Sequence, residues 1–136
     1  MKLPILYTAG LIDGEGTITL SYKRKINPFR YPVVSVASTT IEIILALRET
    51  YGGSVCKHKV YKTHHLKSYI WRVCGSKAIE LCGLLSPLLL VPEKKYRADL
   101  IAIEYPRVTE KNGKYTDATR TLKIQFENRF FHPSKP

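Results

Sequence analysis

The stretch from Tyr7 to Gly16 constrains the fold more than any other part of the sequence. Pro4 can begin a helix just before it, because the missing N–H of proline costs nothing at the first helical position. The residues that follow are mostly apolar, and the glycines at the end of the stretch predict where the helix stops. Asp13 and Glu15 then lie at the carbonyl end of the helix, whose partial negative charge disfavours acids. A divalent cation with oxygen ligands relieves that repulsion, so the stretch predicts a metal site.

The segment Thr-Ala-Gly-Leu-Ile-Asp-Gly-Glu-Gly, from Thr8 to Gly16, resembles the signature of the LAGLIDADG homing endonucleases. Three positions depart from that signature: Thr8 replaces Leu, Gly14 replaces Ala, and Glu15 replaces Asp but keeps the carboxylate. The resemblance implies hydrolysis of phosphodiester bonds with a divalent metal. It implies that Glu15 and the Gly14 carbonyl hold Mg²⁺, with Mn²⁺ as a substitute, and that Asp13 and Glu15 are catalytic.

The charge of the chain indicates a negatively charged partner. The 22 Lys and Arg residues outnumber 11 Asp and Glu residues, which gives a net charge of +11 and a pI near 9.7. Such an excess on a small chain favours binding to a polyanion, most simply nucleic acid. A small basic ribosome-associated protein has similar charge, but it leaves the acid–glycine motif unexplained. No apolar run is long enough to span a bilayer, so we expect no membrane partner.

The number and spacing of the cysteines indicate the cellular compartment of the protein. Cys56, Cys74 and Cys82 are an odd number, and together with the nearby histidines they fit no common zinc spacing. We therefore expect reduced thiols. The apolar run at the N-terminus is too short for a signal peptide. These features predict an intracellular protein, in the bacterial or archaeal cytoplasm, a mitochondrion or a chloroplast.

Hydrophobic periodicity predicts the order of the secondary structure. After the first helix come two strands, a helix, two more strands and another helix, which is an α+β fold of αββαββα order. The predicted strands are Thr17–Lys25, Pro32–Ser38, Ser54–Tyr61 and Lys67–Cys74. The later predicted helices run to Tyr51 before Gly52-Gly53, over Lys77–Leu85 with Ser76 as N-cap, and from Pro92 to a stop at Pro106.

The chain is predicted to form a single domain over residues 1–136, with a core over about 4–105 and a C-terminal extension over 107–136. In the extension, Asp117 is expected to cap a helix through Phe130, packed through Leu122, Phe126 and Phe130. The alternation of Leu122, Ile124 and Phe126 also fits a strand, and we favour the helix. The family resemblance implies that the sheet is an antiparallel saddle backed by helices.

One face of the predicted sheet carries hydroxyl and basic side chains. In the first strand, Thr19 and Ser21 alternate with the apolar Ile18 and Leu20, so the polar face suits base edges and phosphates. The residues expected to contact double-stranded DNA are Thr19, Ser21, Lys23, Lys25, Arg30, Ser35, Lys57, Lys59, Tyr61, Ser68, Ile70 and Arg72.

The resemblance implies two further catalytic positions. Family members have a basic residue at the start of the helix after the second strand pair, and Lys94 matches it best, with Lys95 next. Such a residue stabilises charge on the phosphate or orients water. An ordinary exposed lysine is the alternative for Lys94. Many members have a glutamine at the end of the second strand, where this chain has Ser38.

The motif occurs once, which bears on assembly. Cutting both strands of a duplex needs two acid–metal centres, so one Glu15 per chain predicts an isologous homodimer. The resemblance implies that the motif helix forms the dimer interface, with Tyr7, Ala9, Gly10 and Asp13 in it.

Two functions follow from these observations. The first is a homodimeric, Mg²⁺-dependent endonuclease that cuts double-stranded DNA at a long, near-palindromic site, of the kind encoded by mobile introns or inteins. The second is a catalytically silent nucleic-acid-binding protein of the same fold, either a maturase that binds RNA or a repressor. The intact Glu15 favours the first, because a protein that only binds nucleic acid needs no carboxylate beside phosphates.

Overall fold

The computed structural model describes residues 1–22, 28–57, 67–111 and 114–133. The strands described are β1 (Gly16–Ser21), β2 (Tyr31–Ser38), β3 (Ser54–Lys57) and β4 (Tyr69–Cys74). The helices described are α1 (Ile5–Glu15), α2 (Ile41–Tyr51), α3 (Ser76–Leu85), α4 (Pro92–Asp99), α5 (Tyr105–Val108) and α6 (Asp117–Phe131). None of the helices in these ranges is both long and apolar enough to cross a membrane.

The four strands form one antiparallel sheet in the order β1-β2-β4-β3. The helix and strand order from α1 to α3 is the predicted αββαββα order, and the α+β fold class is confirmed. The predicted first, third and fourth strands were longer than the described strands. Lys23, Lys25, Lys59 and Tyr61 lie outside the described residues.

The core lies between one face of the sheet and the helices. Period-two alternation in β1 buries Ile18 and Leu20, and β4 buries Trp71 and Val73 on the same face. The Trp71 Nε1–H donates to the carbonyl of Gly52 at 2.8 Å, which satisfies its polar atom inside the core. The apolar alternation in the sequence therefore predicted the buried face of the sheet correctly.

Glycines end α2, as predicted. Gly53 has a φ of 92°, in the left-handed region that favours glycine. A Cβ at this position would lie 2.4 Å from the carbonyl oxygen of Arg72 in the neighbouring β4. The chain can turn from α2 into β3 at this close distance because position 53 has no side chain.

The predicted stop at Pro106 is wrong. After α4 the chain continues as a π-helical turn over Leu100–Glu104 and then as α5, which contains Pro106 in its first turn. Proline is tolerated there because the first-turn N–H groups need no intrahelical partner. The wider turn before it starts a new hydrogen-bond register, so the proline falls at a helix start rather than inside a helix.

The helix prediction for the C-terminal extension is confirmed by α6. Phe126 and Phe130 are buried as expected, but Leu122 is exposed, and the buried set includes Lys123 and Glu127. The cap also differs from the prediction, because the Thr116 side chain, not Asp117, accepts from the Thr119 N–H. At α3, similarly, Gly75 rather than Ser76 is the N-cap.

Candidate active site

The carboxylate of Glu15 lies at the end of α1, where the helix passes directly into β1. Glu15 is exposed, and within the described ranges its side chain makes no hydrogen bond or ion pair. Position 16 needs a glycine, because a Cβ there would lie 2.6 Å from the Cα of Ile12. The absence of a side chain at position 16 lets the helix and the strand meet without a loop. Glu15 is thus held at the junction of two regular elements.

Asp13 uses its carboxylate within the chain. Its Oδ2 accepts from the N–H of Leu90 and its Oδ1 from the N–H of Val91, both at 3.0 Å. These N–H groups precede α4, whose first-turn donors have no intrahelical partner. Asp13 therefore joins the end of α1 to the start of α4. Asp13 was predicted to be catalytic, and in the structure both of its carboxylate oxygens are engaged in this contact.

Lys94 approaches the same helix end from α4. Its Nζ donates to the carbonyl oxygens of Ile12 at 2.8 Å and Asp13 at 2.9 Å, a favourable position for a cation at the negative end of a helix. Lys95 is directed elsewhere, and its Nζ donates to the Ser86 carbonyl at 2.6 Å. Of the two predicted basic residues, the structure therefore brings Lys94 to the motif helix.

A small cleft adjoins this junction. It has a volume of about 190 Å³ and is lined by Gly16, Thr17, Ile18, Val91, Glu93, Lys94 and Arg97. Arg97 closes one side by donating to the Ile18 carbonyl at 3.0 Å on the outer edge of β1. Lys94 and Arg97 thus line this cleft, and Glu15 directly precedes Gly16, the first of its lining residues.

The donor set at the helix end suits a hard cation. Glu15 provides a carboxylate without a partner among the described residues. Gly14 provides the next backbone carbonyl in the chain after the two that Lys94 binds. The described ranges hold no group of three or more His, Cys, Asp or Glu residues that would form a complete metal cage. Mg²⁺ fits one carboxylate better than a cage, because it keeps several waters and also binds substrate phosphates.

The outer face of the sheet, opposite the helices, carries a polar row across all four strands. Thr17 pairs with Ser35, Ser35 with Arg72, and Arg72 with Ser54. Directly paired residues in an antiparallel sheet project to the same face. With strands about 4.8 Å apart, such a row spans about 14 Å, close to the width of a DNA major groove.

The other predicted contacts on the described part of this face follow the same register. In β1, Thr19 and Ser21 alternate with the buried Ile18 and Leu20. In β4, Ile70 lies two residues before Arg72 and therefore shares its face. Ser68 lies just before β4. Thr17 and Ser54, which were not among the predicted contacts, lie on the same face. Only the strand register brings Ser54 next to Arg72.

The face predicted for Lys57 is wrong. Lys57 pairs with Tyr69, and the neighbouring Val55 pairs with the buried Trp71. Lys57 therefore shares the helix-side face of the sheet, whereas Cys56 pairs with Ile70 on the outer face. The sequence of β3 alternates weakly in polarity, so its pattern did not determine which of its residues face outward.

Arg30 and Ser38 are also engaged within the chain. The Nη1 of Arg30 donates to Glu127 Oε1 at 2.6 Å, so the side chain predicted to contact DNA forms an ion pair with α6. Ser38 lies on the helix-side face opposite Tyr69, and its Oγ accepts from the Thr40 N–H at 3.0 Å. The Ser38 hydroxyl therefore helps to begin α2 and is not directed toward the outer face.

The predicted interface residues on α1 divide between two faces of the helix. Ala9 is 2% exposed and lies in the core, which corrects its assignment to the interface. Tyr7 is 49% exposed, and a Cβ added at Gly10 or Gly14 would meet no atom within 4 Å. Leu6, which sequence reasoning missed, is 69% exposed on the same side. The described part of the chain thus leaves one apolar, glycine-containing face of α1 uncovered.

Comparisons with known proteins identify the fold. The homing endonuclease I-CvuI, solved with the I-CreI target DNA in the presence of Mg, matches with a TM-score of 0.67 at 16% identity, over 97% of this chain and 82% of the other. I-CvuI was also solved with its own target in the presence of Ca, with a TM-score of 0.63. The archaeal intron-encoded homing endonuclease I-Vdi141I, solved with DNA, matches with a TM-score of 0.64 at 16% identity over 96% of this chain and 84% of the other.

A longer structure matches over part of its length. The LAGLIDADG homing endonuclease I-GzeII, in complex with its DNA target, has a TM-score of 0.67 at 13% identity, and the match covers 98% of this chain and 45% of that one. No family model and no curated protein matches the sequence. The structural neighbours are homing endonucleases, and the chain has the LAGLIDADG homing endonuclease fold.

Proposed function

We propose that this protein is a homodimeric, divalent-metal-dependent endonuclease that cuts double-stranded DNA at a specific, near-palindromic site. The observation that carries the proposal is the Glu15 carboxylate, which is exposed and without a partner among the described residues at the junction of α1 and β1. Lys94 already provides a cation at this end of the helix, but it binds backbone carbonyls and leaves the Glu15 carboxylate without a partner among the described residues. An unpaired carboxylate beside a polar sheet face is best explained by a metal-binding role at the phosphate backbone.

Each side chain at the junction has a separate task in this proposal. Glu15 and the Gly14 carbonyl would hold Mg²⁺, which when bound supplies charge neutralisation and activation of water at the scissile phosphate. Lys94 fixes the helix end that carries these ligands, through the Ile12 and Asp13 carbonyls. Its positive charge also lies where it can stabilise a negatively charged phosphate.

The polar row on the outer face supports DNA as the substrate. Thr17, Ser35, Arg72 and Ser54 offer hydroxyl and guanidinium groups across the sheet, and such groups bind both phosphates and base edges. The net charge of +11 favours association with a polyanion. I-CvuI and I-Vdi141I were both solved in complex with DNA, which supports the same class of partner.

The uncovered face of α1 supports the homodimer. Leu6 and Tyr7 are exposed there, and Gly10 and Gly14 leave room for a second helix to approach closely. A two-fold axis beside α1 would bring two copies of Glu15 together. Each copy would then serve one strand of the duplex.

The experiment is a cleavage selection on a plasmid library with randomised sites, using wild-type protein and Glu15→Gln in Mg²⁺ and in Ca²⁺. We expect cutting by the wild type with Mg²⁺ alone, and a loss of at least about 10³-fold for Glu15→Gln. Glu80→Gln, which changes an exposed acid on α3, is the matched control and should cut normally. Specific binding without cutting under any metal would favour the silent alternative, a maturase that binds RNA or a repressor.

A further inference from the structure

Glu127 on α6 is a buried acid that the proposed catalytic site does not use. It is 7% exposed, and both of its carboxylate oxygens bind the same residue. Oε1 accepts from the Arg30 side chain at 2.6 Å, and Oε2 accepts from the Arg30 backbone N–H at 3.1 Å. A charged group at this depth is stabilised only when its partners are in place, so the contact fixes the backbone at Arg30 as well as its side chain.

The Arg30 guanidinium is also held between two aromatic rings. Its central carbon lies 4.4 Å from the ring centroid of Tyr22 and 4.7 Å from that of Phe131. Tyr22 follows the end of β1, Arg30 precedes the start of β2, and Phe131 is the last residue of α6. One side chain thus links the far ends of two paired strands to the C-terminal helix.

A second aromatic contact lies beside the first. The rings of Phe29 and Tyr115 are 4.7 Å apart at an angle of 58°, which is a favourable tilted arrangement. Tyr115 directly precedes the residue that caps α6. Two independent contacts from the C-terminal segment therefore meet the chain just before β2.

These contacts act on the end of the sheet that lies farthest from Glu15. Gly16 begins β1 next to the catalytic carboxylate, and Ser21 ends it opposite Tyr31. Ser21 is a residue of the outer face whose position depends on this strand end. A base pair read by Ser21 would lie farther from the scissile phosphate than one read by Thr17.

We propose that Glu127 is a positioning residue for DNA recognition, which sets the outer end of β1 and β2 through Arg30 and so determines preference at the outer base pairs of the site. This inference rests on the proposed DNA-binding function. It assigns the C-terminal helix a role in specificity without any contact between that helix and DNA. Arg30 is accordingly a structural link and not a phosphate contact.

The test compares wild type, Glu127→Gln and Glu104→Gln in two measurements. Glu104 forms an ion pair at 2.9 Å with Arg129, which lies on α6 like Glu127. Substituting Glu104 therefore removes an ion pair of α6 that does not involve β1 or β2. The first measurement is amide hydrogen exchange in the free protein. We expect Glu127→Gln to speed exchange at least about tenfold at Tyr31 and its neighbours, with no change near Glu15. Unchanged protection at the β1 and β2 ends would overturn the proposal whatever the protein does with DNA.

The second measurement is selection of bound sequences from a randomised duplex pool in Ca²⁺. We expect Glu127→Gln to lose about tenfold in preference at the outermost base pairs and to keep the central ones, whereas Glu104→Gln keeps both. A uniform loss at every position, or no loss at any, would contradict the positioning role. If the wild type enriches no sequence, the proposed function fails, whereas the exchange result still stands as a separate readout of the Glu127 link.

Discussion

Lys94 lies across the end of the helix that carries Asp13, with its Nζ 2.9 Å from the Asp13 carbonyl oxygen and 2.8 Å from that of Ile12. The Asp13 carboxylate in turn binds the N–H groups of Leu90 and Val91, just before the helix that carries Lys94. Lys94 therefore caps the end of α1, and Asp13 binds the two N–H groups just before α4. This reciprocal arrangement holds the candidate metal ligands at a fixed point beside the sheet.

We expect Lys94→Met to lower the free energy of unfolding by about 1–2 kcal/mol, because two carbonyls at a helix end lose a charged donor. Asp13→Ala should act on the same junction, so the double variant should deviate from additivity by at least about 0.5 kcal/mol. Urea denaturation measures both quantities. Lys114→Met, at an exposed position, is the control and should change stability little. Additive effects of the two variants would argue against a shared junction.

We expect Gly10→Arg to separate the proposed homodimer into monomers without unfolding the chain. A side chain at position 10 meets no atom of its own chain within 4 Å, but it would obstruct a second α1 helix. Sedimentation velocity measures the mass, and thermal unfolding measures whether the monomer is folded. Gly83→Arg on α3, where the nearest atom is 3.9 Å away, is the matched control and should stay dimeric. A dimeric Gly10→Arg protein would mean that α1 is not the interface.

The strand register predicts different effects for two basic residues. Arg72→Met should weaken DNA binding about tenfold and reduce the slope of log affinity against log salt by about 0.9, because one phosphate contact is lost. Lys57→Met should leave that slope nearly unchanged, since Lys57 shares the face of Tyr69 and Trp71 rather than the outer face. Fluorescence anisotropy over a series of salt concentrations gives both slopes. Equal losses would mean that phosphates reach both faces of the sheet.

Lys123 predicts a pH dependence of stability. The side chain is 1% exposed, and burial lowers its pKa from 10.5 to about 8. The negative charge of Glu127 raises the pKa, but by less than burial lowers it. Its Nζ lies 3.9 Å from the ring centroid of Tyr105 and donates to the Thr109 hydroxyl. Because the unfolded chain binds more protons than the folded one between about pH 8 and pH 10.5, stability rises with pH in that window.

From pH 7.5 to 9.5, the Lys123 contribution to the free energy of unfolding should increase by about 1–2 kcal/mol. Denaturant titrations at several pH values measure the increase, and Lys123→Met should remove it. Burial also raises the pKa of Tyr105 and Tyr115, which lowers stability as the pH passes their ordinary range, so the comparison stops at pH 9.5. A wild-type curve that parallels that of Lys123→Met would contradict the prediction.

Local patterns were sufficient for most of the fold. Strict alternation in β1 predicted the buried positions Ile18 and Leu20, since a strand with one apolar face has only one favourable register. In β2, Val34 and Val36 are buried as expected, but Pro32 and Val33 are buried as well. Gly16 after α1 and Gly52-Gly53 after α2 lie where those helices end, as predicted, whereas Gly14 lies within α1. The signature from Thr8 to Gly16 identified the fold that the comparisons support.

Tertiary contacts decided the features that one segment cannot determine. The sequence does not show that Asp13 accepts from Leu90 and Val91, or that Arg30 binds Glu127, because each partner is distant along the chain. The face of Lys57 depended on pairing with β4, and the burial of Ala9 depended on how α1 lies against the sheet.

The sequence by itself therefore determined the order of the elements, the apolar face of the sheet and the acid at the end of the motif helix. These depend on periodicity, on glycine and proline geometry, and on charge, all of which act over a few residues. Only the tertiary structure decided which polar groups are free. A polar side chain such as Asp13, Ser38 or Arg30 binds an internal donor or acceptor whenever folding brings one within reach, and what remains unpaired is available to a ligand.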